Sequence, residues 1–208
     1  HETDNPLTVT MDQARTLTAG IVSDSLDLAN GLLFYYSFNS FNGVSVDDDS
    51  GNGHAGVVNS VTWTNAGQFG GAYNFSDAET AYVSFDTKDL AGSRALSISA
   101  WIKSFGDSGD WENVLKNSYD TAVENRFMFN FLWFQKTGIE PANLCKTELM
   151  LQKDSDGMLE NQVVYLAKPV SYFRDGNWHH VAMTWDGTNA IWFVEGQYNT
   201  QTVTSVGG

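Results

Sequence analysis

The run Trp178-His179-His180-Val181-Ala182-Met183-Thr184-Trp185-Asp186-Gly187 constrains this chain more than any other. Successive residues of a β-strand point to opposite faces. His179, Val181, Met183 and Trp185 therefore share one face, and His180, Ala182 and Thr184 share the other. Asp186-Gly187 is a hairpin signal, and Ala190 to Glu195 resumes the alternation. The same period recurs upstream. Leu96, Ile98, Ala100 and Ile102 line one face of a strand, and Ser97, Ser99, Trp101 and Lys103 line the other. Phe127 to Phe134 is a strongly aromatic strand with Phe127, Phe129, Phe131 and Trp133 on one side. Glu148 to Gln152 and Gln162 to Leu166 read as two more strands. Gln135 to Thr147, with Gly138, Pro141 and Cys145, reads as an inserted loop. Short alternating strands between Gly, Asn, Asp and Ser clusters predict an all-β antiparallel β-sandwich, or jelly roll. Residues 1–30 show no clear period and read as an N-terminal arm, with a short strand at Leu7 to Thr10. Residues 31–208 form the sandwich.

The chain has 208 residues, enough to bury a substantial core in one domain. Its formal charge of −14 repels phosphate backbones and anionic lipid, which argues against nucleic acid and membrane surfaces as partners. No apolar run reaches the roughly 18 residues that a membrane helix needs. Cys145 is the single cysteine, so no disulfide forms within the chain. The chain begins at His1, and we read it as a form processed after export, placing it outside the cell or on its surface.

A second segment carries chemistry. Asp47-Asp48-Asp49-Ser50-Gly51-Asn52-Gly53 sets three carboxylates before a backbone able to turn sharply, a composition suited to a hard cation such as Ca²⁺. With other landmarks it resembles the laminin G-like group of the concanavalin A-like lectin/glucanase superfamily. These landmarks are Gly31 to Phe38 as the opening strand, Asp48 to Gly53, and Gly67 to Phe75. Tyr82-Val83-Ser84, Leu96 to Lys103 and the Trp178 strand follow in that order. The resemblance implies a structural Ca²⁺, with Asp48 as the loop's first acid, Gly51 and Asn52 offering oxygens, and Asp77 adding a carboxylate. It also implies a closing C-terminal strand of the form Gly-x-(Ile/Leu)-Asp-Glu-Val, which is not in this sequence after the Glu195-Gly196 turn. Leu7 to Thr10 is the candidate to fill that place, within one molecule or between neighbours.

Histidines and carboxylates give no catalytic pattern. His179 and His180 face opposite sides of a strand and cannot share a metal. The glutamates lack the alternating spacing that puts two carboxylates in one glycosidase cleft. We therefore expect no catalysis. Sugar binding needs a ring to stack on a pyranose with polar groups beside it. Trp111, Asn113, Tyr119 and Trp133 meet that description, while Trp101, Trp178 and Trp185 are expected in the core. The sequence thus predicts a secreted, non-catalytic carbohydrate-binding or adhesive module stabilised by calcium, with a glycan or an extracellular protein as partner. The alternatives are a structural subunit that self-associates through its arm and open sheet edge, and an accessory domain of a polysaccharide-degrading enzyme.

Overall fold

The computed structural model describes residues 31–75, 80–86, 88–90, 93, 95–105, 112–116, 127–134, 144–152, 159–186 and 189–206. The chain divides into His1–Leu32 and Leu33–Gly208, and the second unit is the subject below. The arm expected over residues 1–30, with its strand at Leu7 to Thr10, lies outside the described residues.

Five short strands come first: β1 (Ser45–Val46), β2 (Gly56–Asn59), β3 (Thr62–Gly67), β4 (Gly70–Asn74) and β5 (Tyr82–Ser84). A 3₁₀ turn (Lys88–Leu90) leads to β6 (Leu96–Phe105), β7 (Glu112–Lys116), β8 (Phe127–Phe134), β9 (Leu144–Gln152) and β10 (Leu159–Pro169). A one-turn helix α1 (Val170–Phe173) precedes β11 (Asp175–Trp185), β12 (Ala190–Val194), β13 (Gln197–Tyr198) and β14 (Thr200–Val206). The described pairings are antiparallel. They build a sheet ordered β13-β12-β11-β6, a larger sheet ordered β14-β10-β9-β8-β7, and two small ones, β1-β2-β5 and β3-β4. The all-β antiparallel sandwich read from the sequence is the fold observed.

Three local expectations change. Gly31 to Phe38, expected as the opening strand, joins no ladder, and Phe38 at its end has φ 58°. Part of the expected inserted loop, Leu144 to Thr147, belongs to β9 because it continues the register against β10 as far as Pro169. After the Glu195-Gly196 turn the chain does supply a last strand. β14 lacks the family's closing motif, yet it pairs along Asn161 to Leu166 of β10 and forms an edge of the larger sheet.

Alternation decides what each sheet buries. On β11 His179, Val181, Met183 and Trp185 are inside; on β12 Ala190, Trp192 and Val194 are inside. They meet Phe131 of β8, Leu166 of β10, and Val170 and Phe173 of α1 in one apolar cluster. Phe131 and Trp192, both fully buried, stack with centroids 5.0 Å apart at 26° and tie the two sheets together. The Trp192 indole N–H has no hydrogen-bond partner among the described residues, so ring packing alone holds it. Where the chain crosses between sheets, Asn199 donates its N–H to the Trp192 carbonyl and accepts from the Ala167 and Lys168 N–H groups.

Truncating a stacked core ring leaves a cavity as well as losing buried area. Trp192→Ala lowers the unfolding free energy by about 3–5 kcal/mol, whereas Ser99→Ala, on the outer face, changes it by less than about 0.5 kcal/mol. Urea titration of the two variants checks the difference, and equal midpoints would place Trp192 outside the core.

Candidate functional site

The side of the β13-β12-β11-β6 sheet that faces away from the core is unusually aromatic. On β6 the outward positions are Ser97, Ser99, Trp101, Lys103 and Phe105. The register sets Trp101 against His180, Lys103 against Trp178, Ser99 against Ala182 and Ser97 against Thr184. Ala182 in turn faces Phe193, and Phe193 faces Tyr198. Phe69, in the turn of the β3-β4 hairpin, meets Trp101 edge to face with centroids 5.4 Å apart, and His180 packs on Trp101 at 5.2 Å. Lys103 Nζ lies 5.2 Å from the Phe105 ring centre. Phe69 is 73% exposed, Phe105 74%, Tyr198 66% and Trp101 38%. Burial is the ordinary fate of such rings, so four exposed ones on one face and its adjoining hairpin make a surface able to stack on a ligand.

A chain of polar contacts holds Phe69 in place, and it begins at the acidic loop. Asp48 Oδ1 accepts the N–H groups of Tyr35 and Ser50, both at 3.0 Å, and Oδ2 accepts that of His54 at 3.0 Å. Burial alone would raise this carboxyl's pKa, but hydrogen bonding by Ser50, Tyr35 and His54 outweighs it and brings it down to about 2. Asp49 Oδ2 accepts the Ser37 N–H, and Asp47 Oδ2 accepts the Ser40 hydroxyl. The three adjacent carboxylates therefore clamp the extended segment from Tyr35 to Ser40. That segment grips the hairpin. Trp63 Nε1 donates to the Phe38 carbonyl at 2.8 Å, and the Gly71 N–H donates to Asn39 Oδ1. A Cβ at Gly71 would collide with the Phe38 carbonyl. A positive φ on a residue as bulky as Phe38 costs about 1–3 kcal/mol, which these contacts offset.

Among the described residues, buried His179 lies between two carboxylates. Its Nδ1 lies 3.0 Å from Glu195 Oε1 and its Nε2 lies 3.0 Å from Asp175 Oδ1. A neutral ring donates to one carboxylate, and a doubly protonated ring satisfies both. Tyr172 and Phe173 pack on the imidazole, and Lys168 Nζ sits 4.5 Å over Tyr172. Asn177, and then His179, hold the Asp175 carboxyl down at about 2, so it carries no proton to donate near neutrality. Burial, with Glu195 and Asp175 nearby, raises the Tyr172 hydroxyl. Glu195 sits in a turn at φ 50°, a conformation that usually favours Asn or Gly. The cluster joins α1, β11 and the β12-β13 turn. His54, similarly buried, pairs with Asp89 at 2.9 Å and packs on Phe34.

The residues expected to bind metal are only partly brought together. Asp48 has both oxygens occupied by N–H donors, Gly51 donates its N–H to the Asp48 carbonyl, and Asn52 Nδ2 donates to the Leu33 carbonyl. Asp48 thus takes two N–H donors on Oδ1 and one on Oδ2, and a cation there would share its oxygens with them. Asp77 lies outside the described residues. Among the described residues, no group of three or more His, Cys, Asp or Glu is placed to hold a metal. Of the expected sugar-binding residues, Trp111 and Tyr119 lie outside the described residues. Asn113 and Trp133 are register partners across β7 and β8, on the other sheet from Trp101. The tryptophans expected in the core divide. Trp185 is buried, but Trp101 and Trp178 take the outer face because their neighbours Ile102 and His179 take the inner one. Phe69, Phe105 and Tyr198 were missed. The signal for Phe69 was a large ring in a turn between Gly67 and Gly70, where it has no core to enter.

A two-sheet antiparallel sandwich with an aromatic outer face is a lectin-like architecture. A family model described as the concanavalin A-like lectin/glucanases superfamily matches residues 77–207, well over half of the chain, and the protein belongs to that family. In fold it is similar to the crystal structure of the binding domain of Paraclostridial Mosquitocidal Protein 1. The TM-score is 0.56 at 16% identity, over 86% of this chain and 41% of that one. This chain thus spans less than half of that domain's length, and at this identity the likeness concerns the fold alone. No curated protein matches the sequence.

The Asp48 clamp has a signed pH dependence. Its carboxyl falls from an ordinary 3.8 to about 2 in the fold. Its charge therefore stabilises the native state above pH about 4, and that contribution is lost as pH drops toward 2. Asp48→Asn is less stable at pH 7 by about 1–2 kcal/mol. It also loses less than wild type between pH 4 and 2. Urea midpoints across that range test both statements, and parallel curves for the two proteins would sink the clamp.

Proposed function

We propose that this protein is a secreted, non-catalytic carbohydrate-binding module that engages its ligand through the outer face of the β13-β12-β11-β6 sheet. The observation that carries the reading is the exposed ring set of Phe69, Trp101, Phe105 and Tyr198. Flat rings stack on the apolar faces of sugars, and Ser97, Ser99, Thr184, Lys103 and His180 stand among them as hydrogen-bonding groups. Family membership supports it, because the family includes lectins. The His179 cluster supports the absence of catalysis, since both ring nitrogens are engaged and Asp175 stays ionised.

Calcium at the Asp48 loop is a separate proposal. It needs Asp48 to share its oxygens with a cation, with Gly51, Asn52 and Asp77 supplying the other oxygens. Melting the protein in calcium and in EDTA tests it: a melting temperature raised by calcium supports the ion, and an unchanged one removes it. Self-association is a second reading, favoured by the position of β6 at the end of its sheet's strand order. Light scattering before and after deletion of residues 1–12 separates it from the first, since only an assembly would shrink.

A glycan array probed with wild type and Trp101→Ala tests the main reading. The variant loses at least tenfold in affinity, about 1.4 kcal/mol, and keeps the far-UV circular dichroism of the parent because the ring lies outside the core. Undiminished binding by Trp101→Ala would move the ligand to another surface.

A further inference from the structure

Carried one step beyond the carbohydrate reading, on which it rests, the shape and charge of this face specify the kind of carbohydrate. We propose that the outer face of the β13-β12-β11-β6 sheet binds an internal stretch of an extended, uncharged polysaccharide several sugar units long, and does not select a chain end or a single sugar.

The first argument is shape. Trp101 and Phe105 are four residues apart on one strand, roughly 13 Å at about 3.3 Å per residue. From β6 to β13 there are three strand spacings, about 14 Å, with Tyr198 at the far side. The exposed rings therefore mark out an area wider than one pyranose. The exposed rings stand at its margins: Phe69 beside Trp101, Phe105 toward one end, and Tyr198 on the outermost strand. Between them the outward positions hold the small residues Ser99 and Ala182 and the half-buried rings of Trp178, His180 and Phe193. Selection of a chain end needs a wall that blocks further units. Half-buried rings and small residues between the exposed ones build no such wall among the described residues.

The second argument is charge. The chain carries 25 acidic residues against 11 basic ones. No outward position carries a carboxylate from Ser97 to Phe105 on β6, from Trp178 to Thr184 on β11, or at Ile191 and Phe193 on β12. Glu195 and Asp175, at the borders of this area, are turned to His179. A cationic sugar thus finds no carboxylate to pair with at these positions, and an anionic one, for which Lys103 is the outward cation on β6, meets the repulsion of the −14 chain. Rings interspersed with serine and threonine hydroxyls suit a neutral chain of alternating apolar faces and hydroxyls.

Isothermal titration with β-1,4-glucan, β-1,4-xylan and α-1,4-glucan oligosaccharides of one to six units tests this, alongside a glycan array. The full chain is compared with Trp101→Ala, Phe105→Ala and Tyr198→Ala, each checked for an unchanged melting transition. In at least one series, affinity rises tenfold or more from two units to six. Phe105→Ala and Tyr198→Ala each weaken hexamer binding more than dimer binding, so that the gain from two units to six shrinks at least threefold. A single sugar bound as tightly as a hexamer overturns the extended-chain inference and leaves the carbohydrate reading standing. Binding confined to uronic or sulfated glycans on the array overturns the neutral-chain part. A folded protein that binds no saccharide in either assay overturns both readings. A dimer that dissociates on Trp101→Ala assigns the face to a second copy and overturns the inference.

Discussion

The stacked pair Phe131 and Trp192 sets the rest of the structure in place. It is the contact at which the two large sheets meet, and both rings are fully buried there. Aromatic pairs of this kind contribute about 0.5–1.5 kcal/mol beyond the area they bury. Their larger consequence is directional. Once Trp192 points inward, the ladder carries Met183 of β11 and Ile98 of β6 inward with it. Trp101, Trp178 and His180 are then left outside. The aromatic outer face is the reverse of the core, and one packing choice produced both.

Polar contacts complete what packing begins. Leu33 to Asn42 pairs in no ladder, so its backbone needs partners from elsewhere. The carboxylates of Asp48 and Asp49 accept the Tyr35 and Ser37 N–H groups, and the Asp49 N–H donates to the Tyr35 carbonyl. A segment held by side chains can adopt turns that a strand cannot, including the left-handed Phe38. That turn brings the Phe38 carbonyl to Trp63 and presses the segment onto Gly71. The hairpin tip with Phe69 is thereby fixed over Trp101. The three acids read as a cation site in sequence also hold this segment, through the Tyr35 and Ser37 N–H groups and the Ser40 hydroxyl.

The His179 cluster shows how a catalytic-looking constellation can serve architecture. Two carboxylates converge on one imidazole, a tyrosine lies against it and a lysine caps the tyrosine. A general acid or base must also reach a substrate. Here the ring is buried with both nitrogens engaged, and Asp175 is held ionised. What the arrangement does is join the helix, the longest strand of the smaller sheet and the turn before β13.

Much of the fold was legible in the sequence because strand alternation is local. The faces of β6, β11 and β12 follow from period two alone, and the ordered landmarks from Gly31 to the Trp178 strand pointed to the family. Alternation even contained the outward placement of Trp101 and Trp178, but a general preference for burying tryptophan overrode it. The strand at Thr200 to Val206 was hidden because its polar residues give no apolar rhythm, and only pairing with β10 identifies it. The site depended on tertiary structure for a physical reason. Phe69 reaches Trp101 across 32 residues of sequence, Asp48 finds its donors at Tyr35 and His54, and Glu195 finds His179. Each is a long-range contact between loops and turns, whose sequences carry no period. The sequence by itself determined a two-faced antiparallel sandwich. Tertiary contacts alone decided which rings gather on its outer face and which carboxylates hold the backbone.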